Sequence, residues 1–254
     1  VYAHLEQWDK VIAYTRMVLN SPYFTLTSMG EVQAAKWDIS SASWLWGYDI
    51  TQETTTHWNS FYSNIDNTNP ISYAGGGAFK SIYSLLYAHI APTDVRRNLY
   101  INRTEAPAIA YRYPQLPDYA NLKYVTDTRF LGDYCFLRLE DPLLLYIEAL
   151  VERNELPRAQ NTLTYFMQNF RDPYYTPTAT DQASMREEVR WQRRIELWGE
   201  GTSFFDFKRW GLGANRTQAG SNHVYAIDVP AGDRRWVYQI PISEIEANPN
   251  MVQN

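Results

Sequence analysis

The sequence predicts a mainly α fold, in which tetratricopeptide-like helical hairpins are interrupted by a loop-rich excursion carrying short strands. Three observations predict it. Apolar residues recur at helical spacing near the start of the chain and again across residues 143–170. That period is lost between Thr25 and Thr128, where aromatic, polar and proline-rich stretches alternate. The 45% apolar and 20% charged residues are the composition of a chain that buries a core. The 254 residues are read as a single domain in three stretches: 1–22, 23–135 and 136–254.

Composition removes several function classes. A net charge of −5 gives no electrostatic footprint for nucleic acid. The longest apolar stretch, Leu143 to Val151, is broken by Glu148 and falls short of the roughly 18–20 residues of a membrane helix. One cysteine, Cys135, excludes an internal disulfide framework or a multi-cysteine zinc site, and it reads as a small buried hydrophobe. Aromatic residues make up 15% of the chain, enough to fill a core and still leave rings for ligand stacking. Arginine far outnumbers lysine, which points to rigid pairing with carboxylates inside the protein.

In chain order, residues 9–20 read as a helix with Asp9 as its cap and Val11, Ile12, Tyr14 and Val18 on one face. Ser21-Pro22 ends it. Glu6-Gln7-Trp8 looks like the joint of a helical hairpin whose first helix is only a stub, so an intact repeat is expected to extend upstream of Val1. Trp44, Trp46, Tyr48 and Ile50 alternate as one face of a strand. A polar aromatic loop follows from Thr51 to Asn69, and Gly75-Gly76-Gly77 makes a flexible turn before a short helix over Phe79 to His89. Pro107, Pro114 and Pro117 mark loops. Asp141 is read as a cap and Pro142 as the first position of a helix running to Arg153. A tight joint leads to a second helix, with Ala159, Leu163, Phe166 and Phe170 on its inner stripe.

Most chemical motifs are absent. Gly77-Ala78-Phe79-Lys80-Ser81 lacks the glycine that a phosphate-binding loop requires before its lysine. The histidines at 4, 57, 89 and 223 are too scattered for a metal site, and no cofactor is implied. Asn102-Arg103-Thr104 and Asn215-Arg216-Thr217 are glycosylation sequons, meaningful only in a eukaryotic secretory context. The richest stretch runs from Trp191 to Gly211. Its Glu196 and Glu200 lie four apart and Asp206 follows, so a glycosidase carboxylate pair competes with a structural ion-pair cluster. The stripe of Trp191, Ile195 and Trp198 favours burial, with Arg193, Arg194 and Arg209 neutralising Glu196, Glu200 and Asp206. Gly199 and Gly201 supply the helix stop.

These residues also carry a resemblance. Arg193-Arg194-Ile195-Glu196-Leu197, Glu200-Gly201 and Phe204-Phe205-Asp206-Phe207-Lys208-Arg209-Trp210-Gly211 resemble the C-terminal signature of the SusD/RagB family. Leu137-Arg138-Leu139-Glu140 leading into Leu143 to Ala149 agrees with it, as do Ile240 to Ile245 with Asn248-Pro249-Asn250, and the Trp8-Asp9-Lys10 joint. Gln192 stands where the signature usually has Glu. The resemblance implies a surface lipoprotein of the Bacteroidetes outer membrane. Such a protein sits over a SusC-like, TonB-dependent transporter and captures a glycan, or in some members a peptide, for import without catalysis. The lipid-anchor cysteine of the family has no counterpart here, and Cys135 is internal.

The family's ligand contacts vary, so the candidate site rests on side-chain chemistry. Sugar rings stack their C–H faces on Trp and Tyr while neighbouring amides and carboxylates bind the hydroxyls. Trp44, Trp46, Trp58, Tyr62 and Tyr73, with Asn59, Asn64 and Asp66, supply that mixture. Trp58 and Tyr62, at helical spacing in a polar segment, are the favoured pair, while Trp44 and Trp46 compete with a packed-strand reading. A glycoside hydrolase using Glu196 with Glu200 or Asp206, and a repeat scaffold for other proteins, are the alternative functions.

Overall fold

The apolar spacing near the start of the chain folds as α1 (Trp8–Leu19), with Val11 and Thr15 turned inward. The structure, a computed structural model, describes residues 1–253. Asp9 does not cap α1: Gln7 holds that position without a side-chain bond. Asp9 lies in the first turn instead, where a negative charge suits the helix dipole, and it pairs with Arg153 at 3.0 Å. Val11 is covered by Ala3 and Ala149, whereas Tyr14 stays half exposed and stacks on Tyr2 at 5.2 Å.

The described residues divide into two units, Val1–Glu200 and the stretch from Gly201 onward. In the first, the hairpin is formed by α6 (Glu140–Glu152) and α7 (Leu156–Phe170). Helix α6 starts earlier than its sequence signals indicate: Leu139 is the cap, and Asp141 and Pro142 lie in the first turn. Asp141 is drawn away from capping because its carboxylate takes the Arg193 guanidinium at 2.6 Å. The inner stripe of α7 is as read, with Ala159, Leu163 and Phe166 fully buried and Phe170 packed at the edge. A third helix, α8 (Gln182–Glu196), is opened by Asp181 and Ser184, which cap each other's backbone reciprocally. Helices α1, α7 and α8 all pack on α6, so Leu144, Ile147, Leu150 and Val151 have no exposed surface.

The excursion packs Ile82, Leu86, Ile90, Tyr100 and Phe130 into a second core, which Ile195 of α8 completes. Its elements are short because each contributes only a few anchors: α2 (Met29–Gln33), β1 (Trp44–Tyr48), α3 (Phe61–Ile65), α4 (Ser84–Tyr87) and α5 (Pro107–Arg112). Helix α4 is a single turn within the longer span read from Phe79. Helix α5 occupies a segment read as loop, because Pro107 sits in the first turn, where its missing N–H costs nothing. Strand β1 pairs antiparallel with β2 (Tyr134–Arg138), but register shifts on both sides of Trp46 break the alternation. Trp44, Trp46, Tyr48 and Ile50 therefore do not share one face: Ile50 is buried, Trp44 half-buried, and Trp46 and Tyr48 exposed.

From Gly201 the chain forms α9 (Ser203–Arg209), a small ribbon of β3 (Ala214–Asn215) and β4 (Asp228–Val229), and α10 (Ile242–Ala247). Phe204, Phe207 and Trp236 pack together in this unit, with ring centroids of Phe204 and Phe207 at 5.6 and 6.1 Å from Trp236.

Candidate functional site

The acids of the signature region are buried and fully engaged. Glu196, the last residue of α8, accepts hydrogen bonds from Arg96 Nη1 at 3.0 Å, Arg138 Nη1 at 2.7 Å, and Arg171 Nε and Nη2 at 2.8 and 2.7 Å. Glu200 accepts from Arg138 Nε and Nη2 at 2.9 and 2.8 Å and from Lys123 Nζ at 2.6 Å. Glu140 joins through Arg171 at 3.1 Å and the Thr27 N–H at 2.7 Å, and Asp94 holds Arg96 at 2.6 Å. Burial alone would push the Glu196 carboxyl up, but the guanidiniums of Arg171, Arg138 and Arg96 hold it well below the usual carboxylate range. Burial likewise opposes ionisation of Glu200, and Arg138 and Lys123 overcome it. Lys123 is pushed down by the same burial, with Glu200 pulling the other way.

The cations differ from those expected. Arg193 reaches across to Asp141 on α6, and Arg194 lies over the Trp191 ring at 4.6 Å. The pairing of Arg209 with Asp206, at 2.9 Å within α9, matches the reading. Neighbours on one helix lose here to arginines from distant segments, because Arg96, Arg138 and Arg171 bring forked donors from several directions. Sequence reasoning missed those three, with Lys123 and Glu140. A usable signal existed in Leu137-Arg138-Leu139-Glu140, where charges sit inside an apolar run. Both Glu196 oxygens are taken by arginines, so the geometry offers no free carboxylate there for acid–base work.

The exposed aromatic chemistry lies elsewhere. Trp58 sits on a one-turn 3₁₀ segment, His57–Asn59, and is 49% exposed. The Tyr73 ring stands edge-on to it at 5.3 Å, and buried Phe130 lies behind at 6.2 Å. The Phe130 carbonyl is tied to the Thr55 hydroxyl at 3.1 Å, which fixes the back of this corner. Asn59 and Asn64 are exposed, and the Asn64 amide donates to the Ser60 carbonyl at 2.9 Å. On the ribbon, Trp46 packs on Phe136 at 5.2 Å and leaves 65% of its surface in solvent.

Two of the expected residues do not reach the surface. Tyr62 is buried in the inward face of α3 against Tyr134 and Tyr124, and burial raises its hydroxyl well above its ordinary value. Trp58 and Tyr62 are not on one helix: the extended Ser60 separates the 3₁₀ turn from α3 and caps the latter. Asp66 has no exposed surface and accepts from the Thr68 N–H and hydroxyl and the Thr126 N–H at 2.7–2.8 Å, so it braces loops. Burial raises its pKa despite these bonds. Cys135 is half-buried in β2, and burial, aided by Glu200, pushes its thiol up to about 11. Among the described residues, no group of three or more His, Cys, Asp or Glu is placed to hold a metal ion, and no helix is long and apolar enough to cross a membrane.

Comparison with known proteins adds to this geometry. The family model of the SusD family matches residues 102–254, more than half of the chain. No curated protein matches it in sequence. Among solved structures, a SusD-like carbohydrate binding protein from Bacteroides vulgatus superposes with a TM-score of 0.77 at 20% identity, over 98% of this chain and 56% of its own. A SusD superfamily protein from Bacteroides thetaiotaomicron gives 0.74 at 22%, over 100% and 57%. Surface glycan-binding protein A from the same species gives 0.65 at 15%, over 100% and 61%. At these identities the likeness is one of fold, and the chain spans less than two thirds of the length of these structures.

Proposed function

The chain belongs to the SusD family, and on that premise we propose that it captures a glycan at the cell surface for import by a SusC-like, TonB-dependent outer-membrane transporter, without catalysing a reaction. In this reading it works as part of a surface lipoprotein of the outer membrane. The observation that carries the reading is the corner of Trp58 and Tyr73, two rings set at 65° on a fixed base, with Asn59 in the same exposed turn. An exposed indole offers a flat apolar face for a pyranose ring, and the neighbouring amide supplies donors and acceptors for hydroxyls. Trp46 on the ribbon is a second stacking surface, while Trp44 is half-buried in the strand. Two structures of like fold are described as carbohydrate- or glycan-binding, which agrees with this assignment. The absence of catalysis in the proposal follows from Glu196, whose oxygens are committed to arginines.

Isothermal titration of the full-length protein against a panel of glycans tests the reading. Trp58→Ala should weaken binding about tenfold, the equivalent of roughly 1.4 kcal/mol. Tight binding of peptides with no glycan binding would move the protein to the peptide-capturing branch. Sustained release of shorter sugars, abolished by Glu196→Gln, would overturn the non-catalytic assignment.

A further inference from the structure

Two residues at the Trp58 corner hold a backbone conformation that side chains rarely adopt. His57, which opens the 3₁₀ turn carrying Trp58, has a φ of +47°, and Phe130, behind the indole, has a φ of +58°. Ala35 and Asn154 share this left-handed geometry, but each directly follows the cap of a helix, α2 or α6, where it is common. His57 instead begins its turn. Phe130 closes a turn from the Asp127 carbonyl and is 2% exposed. A bulky ring on such a backbone persists only where its surroundings impose it.

The two backbones meet at one hydroxyl. Thr55 Oγ1 accepts the His57 N–H at 3.2 Å and donates to the Phe130 carbonyl at 3.1 Å. A hydroxyl serves both at once, because it carries one donor and two acceptor lone pairs. The bridge ties the Trp58 turn to a segment 75 residues further along the chain. Within the turn the restraints are few. Thr56 caps it without a side-chain bond, and the Asn59 and Ser60 N–H groups donate to the Thr56 and His57 carbonyls, each at 3.0 Å. Trp58 itself is half in solvent, so packing restrains only part of its ring. Such a side chain loses freedom when a ligand stacks on it, unless its backbone is already held.

We propose that Thr55 is a positioning residue for carbohydrate stacking: its hydroxyl locks the Trp58 turn to the Phe130 segment and presents the indole in one pose. This rests on glycan capture at Trp58 and adds what readies that surface before a sugar arrives. Thr55 acts through the two backbones it joins, so its shape alone does not suffice. Thr55→Val keeps the branched outline and supplies neither bond, whereas Thr55→Ser keeps both.

Fluorine NMR of the full-length protein labelled with fluorotryptophan reads the pose without any ligand. The Trp58 line, identified as the one missing from Trp58→Phe, should be single and sharp in the wild type and in Thr55→Ser. In Thr55→Val it should broaden or split while the other tryptophan lines stay in place, and Thr55→Ala replaces that variant if it does not fold. Titration with maltohexaose, cellohexaose, xylohexaose and mannohexaose reads the consequence. Any of these that binds the wild type should bind Thr55→Val about fivefold more weakly and Thr55→Ser within about twofold, and Thr55→Val should cost nothing further in Trp58→Ala. A sharp Trp58 line in Thr55→Val, the same broadening in Thr55→Ser, or an affinity loss that persists in Trp58→Ala overturns the proposal. If the wild type binds none of the four sugars, glycan capture is what fails, and the fluorine lines still decide whether Thr55 sets the pose.

Discussion

Glu196 shares one carboxylate among the guanidiniums of Arg96, Arg138 and Arg171, all with side chains at most 3% exposed. Glu196→Gln keeps the shape but leaves those cations without their common counter-charge. It should therefore lower stability by about 3–5 kcal/mol, read as a fall in the urea midpoint with little change in slope. A loss under 1 kcal/mol would mean that water or Glu140 takes over the role. The sequence revealed the acids and their burial, because they lie between Trp191, Ile195 and Trp198. It concealed their partners. A pair such as Arg96 with Glu196 is made by tertiary packing across 100 residues and leaves no periodic trace. The exposed Trp58 and Tyr73 were legible from composition, whereas the burial of Tyr62 and Asp66 depends on how α3 docks.

At the scale of elements, the β1–β2 ribbon depends on Gly47. A Cβ there would collide with the Trp44 ring and the Tyr134 carbonyl, and the latter is backbone that has nowhere to yield. Gly47→Ala should destabilise the protein by about 1–3 kcal/mol and disturb the Trp46 environment, seen as a lower melting temperature and altered near-ultraviolet dichroism. An unchanged melting temperature would mean the ribbon shifts register at no cost. Long helices were readable because Ala159, Leu163 and Phe166 repeat over several turns. Short ones were not: α3 and α5 span little more than a turn each, too few residues for a period, and Pro107 reads equally as a loop breaker or a helix opener. The bulges beside Trp46 likewise defeat strict alternation.

At the scale of the molecule, the buried acids set the response to pH. The folded-state pKa values of Glu196 and Glu200 lie below the ordinary 4.5, so the native state favours their ionised forms. Their contribution is complete above that value and is lost as pH falls through the depressed ones. Stability to urea should thus hold between pH 7 and about 5 and decline steeply below about 4. In Glu196→Gln the decline should be shallower, and an equally steep one would assign acid unfolding to other carboxylates. The family and its helical frame were legible from the ordered signature blocks. The division after Glu200 was not, since no proline-rich or charged linker marks it.

The arginine knot has a bearing on synthesis. Its members enter the growing polypeptide in the order Asp94 and Arg96, Lys123, Arg138 and Glu140, then Arg171, with Glu196 and Glu200 last. Until α8 leaves the ribosome, the excursion has an excess of cations it must later enclose, and its closure waits on residues made 100 positions afterwards. The nascent excursion would therefore remain open and hydrated until those acids arrive.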